Sequence, residues 1–261
     1  MMRLQLDNGI WAIAMLAMLG FTGTAWACEG VCTTPLNFSD NQYDHCFTDV
    51  RRGPDINDNG VPDLGGTGNA ALNFTGGAGP AGDTWLTKFT PDGSTRICRS
   101  PFLQADVLIH TFNNTKGAGV VGLLDSAPGG KGLALILYDQ GNSDALQLAT
   151  IDPATGKLTK LTSVSLDAGI AENTWYRLQM TVGVNGDQVF VTGLVVRHLT
   201  PTNPDSGLDG TVGPVLVFQG SLSALGLDSE GEVGIAASAF STNVNSSVTN
   251  FNLPQCLLPP A

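Results

Sequence analysis

The strongest constraint on the fold of this 261-residue chain is a pair of strand-like segments joined by a short turn. Over residues 175–184, apolar side chains occupy every second position, which is the period of a β-strand with one buried face. Asn185-Gly186 follows, the preferred pair for a two-residue type I′ turn, and a Val-rich run returns over residues 188–197. The segment therefore predicts a β-hairpin. Its predicted core side chains are Tyr176, Leu178, Met180 and Val182.

Similar short runs continue along most of the chain. Residues 133–138, 145–151 and 157–164 predict a three-strand meander, because turn sequences rich in Asp, Pro and Gly separate them. Further strands are predicted at residues 103–111, 118–124, 212–218, 232–239 and 247–253. About ten short strands at this spacing are typical of a two-sheet sandwich or a barrel.

The composition narrows the classes of partner. Asp and Glu total 23 against 12 Lys and Arg, which gives a net charge of −11 at pH 7. A polyanionic surface repels nucleic acid, so we predict no nucleic-acid partner. Asp outnumbers Glu by nineteen to four, and Asp favours turns, so the chain is predicted to be rich in loops rather than helices.

The first residues have the features of a cleaved signal peptide. Arg3 precedes an uncharged apolar run over residues 10–21, and Ala25-Trp26-Ala27 places small residues where a signal peptidase reads them. The run is short for a membrane span, so we predict removal of residues 1–27 and no transmembrane segment. The mature protein would be secreted, periplasmic or at the cell surface. Lipidation of Cys28 is an alternative.

Three regions would remain after cleavage. Residues 28–66 form a Cys- and Asp-rich segment, residues 67–253 the β-patterned domain, and residues 254–261 a Pro-rich tail. In an exported chain cysteines are predicted to form disulfides, and an odd number leaves one unpaired. The cysteines are Cys28, Cys32, Cys46, Cys98 and Cys256. Their pairing stays open, although adjacent first and last strands would let one pair join the chain ends.

The order of the β-patterned segments carries a resemblance to a known superfamily. Residues 71–74 (ALNF) open the domain, residues 102–107 (FLQADV) look like a long core strand, and residues 248–251 (VTNF) close it. This order resembles the concanavalin A-like lectin/glucanase superfamily, particularly its laminin G-like members, over residues 67–253. The resemblance implies an all-β, two-sheet antiparallel jelly-roll sandwich, often with carbohydrate or calcium at its concave face or rim. Because the superfamily includes lectins, hydrolases, lyases and adhesion modules, the fold does not select a function.

A short acidic loop precedes the first predicted core strand. Residues 55–63 (DINDNGVPD) place oxygen-bearing side chains at alternate positions around a glycine, and calcium prefers six to eight hard oxygen ligands. The segment resembles the calcium loops of thrombospondin type 3 repeats and of dockerins. Gly66 stands where an EF-hand has its bidentate Glu, so the loop is not an EF-hand. The candidate ligands are Asp55, Asn57, Asn59, Val61 and Asp63. The alternative is a solvated turn without metal.

The patterns for catalysis are incomplete. The glucanases of the superfamily carry Glu-x-Asp-x-x-Glu on one strand, and this sequence has only the turn-like Glu230-Gly231-Glu232. Residues 108–110 (LIH), with Arg96 and Arg99 upstream, resemble the active strands of jelly-roll alginate lyases, but Leu108 replaces a Gln. The sequence therefore leans against an enzyme, and a lyase ranks before a hydrolase as the alternative.

Ligand binding is the remaining class. Sugars stack on aromatic rings, and Trp85 and Tyr138 are the candidate rings, with His110 as a third candidate contact. We predict a non-catalytic, calcium-stabilised binding or adhesion module whose partner is a glycan or an extracellular or surface protein. A structural matrix or surface protein is the further alternative.

Overall fold

The computed structural model of the chain describes residues 36, 46–51, 61–62, 70–75, 83–110, 116–139, 144–166, 169–239 and 245–252. Within these residues fifteen β-strands form two antiparallel sheets that pack face to face. This arrangement confirms the predicted all-β jelly-roll sandwich. No helix in the described part is long and apolar enough to cross a membrane.

The first sheet has seven strands. In spatial order it contains β1 (Phe47–Arg51), β4 (Asp83–Phe89), β14 (Glu232–Ala239), β6 (Lys116–Leu124), β7 (Gly132–Asp139), β8 (Ala145–Ile151) and β9 (Leu158–Ser165). The last four form a continuous antiparallel run, which confirms the predicted meander of β7, β8 and β9.

The second sheet has eight strands. In spatial order it contains β12 (Leu208–Thr211), β11 (Gln188–His198), β10 (Trp175–Asn185), β5 (Phe102–Ile109), β15 (Asn245–Asn252), β3 (Ala70–Thr75) and β2 (Val61–Pro62). The eighth strand, β13 (Leu216–Ser221), pairs with the first half of β11. A single helical turn, α1 (Leu222–Leu225), follows β13, and a 3-10 turn occupies Pro91–Gly93.

The main hydrophobic core lies between the two sheets. All four predicted core residues of β10 belong to this core. Successive side chains of a strand point to opposite faces, so every second one points toward the opposing sheet. Their neighbours on β10 point away from the core. Burial of the apolar faces of both sheets is the main favourable contribution to the stability of such a sandwich.

The hairpin between β10 and β11 forms as predicted, but its turn differs. Asn185 pairs with Gln188, so the two central residues are Gly186 and Asp187. Only Gly186 of these two has a positive φ, 58°, which matches the pattern of a type II′ turn rather than the predicted type I′ turn. The shift has a physical reason, because Asp187 at the second central position accepts hydrogen bonds from Ser221 Oγ and from the backbone N–H of Ser223.

The strand predicted at residues 212–218 is wrong in its limits. The chain instead ends β12 at Thr211 and begins β13 at Leu216. Gly213 between them has a φ of 89°, and Pro214 has no N–H to donate, so a continuous ladder cannot pass through. Strand β4 was not predicted, because its apolar residues Trp85, Leu86 and Phe89 do not alternate with polar ones over its seven residues.

The two ends of the described chain meet at the edge of the core. Leu36 and Phe251 exchange backbone hydrogen bonds of 2.8 and 3.0 Å. The ring of Phe251 also packs against Phe47 and Phe89, with centroid distances of 5.4 and 5.8 Å. Cys46 and Cys98 are fully buried, and the other three cysteines lie outside the described residues. The disulfides stay a prediction.

Candidate functional site

The outer face of the seven-stranded sheet is apolar and buried. Its side chains form a second hydrophobic cluster, separate from the core between the sheets: Leu86, Val121, Leu124, Ala134, Ile136, Tyr138, Ile151 and Ala236. Every one of these residues has no exposed surface. These eight residues therefore present no surface to a ligand.

Both aromatic rings that we predicted from the sequence as ligand contacts are fully buried. Trp85 packs in the core between the sheets, and Tyr138 lies in the apolar cluster on the outer face of the seven-stranded sheet. Burial raises the pKa of the Tyr138 phenol above its ordinary value. The structure places neither ring where a sugar can stack on it, so the site must be sought elsewhere.

The outer face of the eight-stranded sheet carries polar residues in successive rows. The register of β5 and β10 places Asp106 beside Arg177 and Gln104 beside Gln179. On β11 the residues of this face include His198 at one end and Phe190 at the other, because alternate residues of the strand enter the core. One half of the face is covered, and the other half is open to solvent.

Asp106 is the centre of the covered half, and its carboxylate is fully buried. Arg177 donates to both carboxylate oxygens, at 2.8 and 2.9 Å, and Asn250 Nδ2 donates to Oδ2 at 2.8 Å. Burial alone would raise the pKa of Asp106, but the hydrogen bonds from Arg177 and His198 outweigh it and hold that pKa below its ordinary value. The hydrogen bond to Asp106 in turn raises the pKa of Arg177.

His198, the last residue of β11, connects Asp106 to the loop that follows this strand. Its Nε2 lies 3.2 Å from Oδ1 of Asp106, and its Nδ1 lies 3.1 Å from the backbone oxygen of Ser206. Both ring nitrogens thus face oxygen atoms. The loop also accepts a bond from Trp175 N through the oxygen of Pro201, at 3.0 Å. With both carboxylate oxygens engaged, the cluster is arranged to hold strands together rather than to contact a ligand.

His110 stands just after β5, half-buried, with Nε2 2.6 Å from Ser247 Oγ. Burial lowers the pKa of His110, against the opposing effect of a hydrogen bond with Asn173. Arg99 precedes β5, and a strand of eight residues spans roughly 26 Å, so the arginine and the histidine of the lyase-like pattern lie at opposite strand ends. The two are not brought together.

The open half of the face carries exposed and half-buried polar side chains together with the Phe190 ring, and Phe102 and Val217 lie on the same face. Phe190 has 42% of its surface exposed, and its partner across β10 is Gly183, which has no side chain to cover the ring. The other members are Gln104, Gln179, Thr181, Thr192 and Gln219, and Gln179 Nε2 donates to Gln104 Oε1 at 2.8 Å. We call these six residues the open face.

Sequence reasoning did not find Phe190, because a Phe in a Val-rich strand is typical of a core. The signal that identifies Phe190 is its position in the alternation of side chains along the strand. Phe190 shares its face with Gln188 and Thr192, whereas Val189 and Val191 enter the core.

The candidate calcium loop lies mostly outside the described residues. Only Val61 of its predicted ligands is described, and its backbone pairs with Ala71 in the short edge strand β2. Asp55, Asn57, Asn59 and Asp63 are not described. Within the residues that are, no group of three or more His, Cys, Asp or Glu is arranged to hold a metal ion.

Comparison with known proteins gives matches at the level of structure. No family model matches the chain, and no curated protein matches its sequence. An engineered GH43 glycoside hydrolase with endo-xylanase and exo-arabinofuranosidase activity is similar with a TM-score of 0.50 and 14% identity, over 91% of this chain and 43% of that one. The carbohydrate-binding module CBM66 from Bacillus subtilis has a TM-score of 0.45 and 11% identity, over 80% of this chain and 95% of that one. The Ca²⁺/Man3GlcNAc-bound exoplasmic/lumenal domain of VIP36 has a TM-score of 0.40 and 11% identity, over 73% and 84%. At these identities the likeness concerns the fold alone, a jelly-roll sandwich.

Proposed function

We propose that this chain is an exported, non-catalytic glycan-binding module that binds a saccharide on the open face. The observation that carries the proposal is the exposed ring of Phe190, set among carboxamide and hydroxyl side chains on a regular sheet. An aromatic ring stacks on the C–H face of a pyranose, and amides and hydroxyls bond the sugar hydroxyls. The open face supplies both kinds of contact on rigid strands.

The carboxamide pair supports the proposal further. Because Gln179 donates to Gln104, the Gln104 amide N–H groups and the Gln179 carbonyl oxygen are left to face a ligand. Two neighbouring hydroxyls on a sugar can bond such a donor and acceptor side by side. The net charge of −11 favours neutral or cationic glycans over polyanionic ones, because like charges repel.

A glycan array followed by titration of Phe190→Ala tests the proposal. We expect the wild-type protein to bind at least one neutral glycan and the variant to bind it about 10-fold more weakly, since truncation of a central aromatic contact removes a large share of the binding energy. Leu199→Ala is the matched control, because Leu199 is 60% exposed and lies outside the open face. Unchanged binding by Phe190→Ala contradicts the proposed site, and release of a product from the bound glycan contradicts the non-catalytic assignment.

Calcium and export complete the proposal. Calcium would be held by residues 55–63 and would fix the segment that leads into the edge strand β2. Calorimetry should show calcium-dependent heat and a rise in melting temperature, and Asp55→Ala should abolish both. The absence of both effects in the wild-type protein would contradict the calcium site. For export, N-terminal sequencing of the secreted protein should begin at Cys28, whereas a retained Met1 contradicts cleavage.

A further inference from the structure

The edge strands of the two sheets differ in how they are protected from pairing with another chain. Proteins protect such edges with charged residues, proline, bulges or very short strands. In the seven-stranded sheet, β1 carries Asp49 and β9 carries Lys160, and a register shift interrupts the pairing of each with its neighbour. In the eight-stranded sheet, β2 has two residues and ends at Pro62. Strand β12 has four residues, and its Asp209 forms an ion pair with Arg197.

Strand β13 lacks all of these protections. Its sequence LVFQGS has no charged residue and no proline, and its pairing with β11 is regular from Leu216 to Ser221. No strand among the described residues pairs with its other edge. Val217 in this strand is 69% exposed, and Val215 just before it is 51% exposed. A regular, uncharged edge with exposed apolar side chains is typical of a site where strands of two chains pair.

The hydrogen bonds next to β13 show which of its backbone groups face this free edge. The N–H of Leu222 donates to the backbone oxygen of Asp187 at 2.7 Å, so these two residues extend the β11–β13 ladder as a hydrogen-bonded pair. Hydrogen-bonded and non-hydrogen-bonded pairs alternate in an antiparallel ladder. Phe218 therefore bonds β11, whereas Val217 and Gln219 direct their N–H and C=O groups away from it. These two residues present donors and acceptors to a further strand.

The charge of the protein favours a second copy of the same chain at this edge. Two molecules with a net charge of −11 repel each other, and the repulsion is smallest where neither presents a charge. The charged residues near β13 are of both signs. Asp187 accepts from Ser221 at the end of the strand, and Lys131 donates to the backbone of α1, which follows it. Lys160 lies on β9, which packs across the core from β13.

We propose that β13 is the contact of a symmetric dimer, in which it pairs antiparallel with β13 of a second copy. Pairing Val217 of each copy with Gln219 of the other uses the outward donors and acceptors on both sides of a two-fold axis at Phe218. The half-buried Phe218 rings then lie opposite one another, and Val215 lies opposite Ser221 of the second copy.

The two eight-stranded sheets become one continuous sheet in this dimer. Residues directly opposite each other in neighbouring strands lie on the same face, so the open faces of both copies lie on the same side. The dimer itself does not depend on the glycan-binding proposal, because β13 pairs through its backbone.

Sedimentation of the purified protein over a range of concentrations tests this contact. We expect a reversible equilibrium between monomer and dimer without larger species, since a two-fold contact closes on itself. Val217→Pro should weaken dimerisation about 10-fold, because each dimer loses two outward N–H donors while the ladder between β13 and β11 keeps its own. The melting temperature of the variant shows whether it is folded.

A charged variant serves if proline disturbs the strand. Val217→Asp changes an exposed side chain and should also weaken the dimer, because it brings two like charges close to the two-fold axis. Leu199→Asp is the matched control, since Leu199 is 60% exposed and lies outside β13, and it should leave dimerisation unchanged. The proposal is overturned if the protein stays monomeric up to millimolar concentration or assembles beyond a dimer. It is also overturned if both Asp variants weaken the dimer equally, or if a folded Val217 variant dimerises like the wild type.

Discussion

At the scale of single residues, the most extensive polar contacts of the described chain are structural. Asp106 accepts three hydrogen bonds, two from Arg177 on β10 and one from Asn250 on β15, the His198 ring of β11 lies 3.2 Å from its Oδ1, and the carboxylate is shielded from solvent. Arg197 and Asp209 also form an ion pair, but their side chains are 47% and 39% exposed. A buried ion pair whose partner is removed leaves an uncompensated charge, whereas an exposed pair is replaced by water.

Asp106→Asn should therefore lower the free energy of unfolding by about 3–5 kcal/mol near neutral pH, since Arg177 loses its counter-charge. The folded-state pKa of Asp106 is below its unfolded value, so its stabilisation is present above about pH 4 and is lost as pH falls through the folded-state pKa. Urea denaturation across this range measures the effect. The gap between wild type and variant should narrow in acid, and Asp209→Asn should show little change at neutral pH. A gap independent of pH contradicts this account.

At the scale of elements, alternation in the sequence predicts which faces of the hairpin strands enter the core, and the structure agrees. The same pattern cannot show which face of a strand such as β7 enters the core between the sheets, because its sequence GLALILYD is apolar almost throughout and both of its faces are buried. The open face was also beyond reach, since it joins residues far apart in sequence. Its assembly depends on sheet order, which no local pattern encodes.

The glycines of β6 give an element-scale prediction. A Cβ atom at Gly119 would collide with the backbone oxygen of Leu135 on the neighbouring strand β7. Gly119→Ala should lower the unfolding free energy by about 3 kcal/mol or more, because backbone on a central strand cannot move aside. Gly183→Ala is the matched control, since its nearest neighbour would be Phe190 Cβ at 4.0 Å. Equal melting temperatures for the two variants would show that β6 and β7 separate easily.

At the scale of the whole molecule, the sandwich is closed by contacts between its two chain ends. Phe251 on the last strand is fully buried, and it contacts Phe47 on β1 and Phe89 on β4, which belong to the opposite sheet. The backbone of the same residue pairs with Leu36 from the Cys-rich segment. One residue thus links both sheets with the first and last parts of the described chain.

Phe251→Ala should lower the unfolding free energy by about 3–5 kcal/mol, as expected when a fully buried aromatic ring leaves a cavity. Phe190→Ala removes the same atoms from an exposed position and should change stability by no more than about 0.5 kcal/mol. Chemical denaturation of both variants checks the pair, and the slope should stay constant if each unfolds in one step. The comparison also serves the proposed function, because a stable Phe190→Ala protein that binds no glycan has lost a contact rather than its fold. A large loss of stability in that variant would instead place Phe190 in the core.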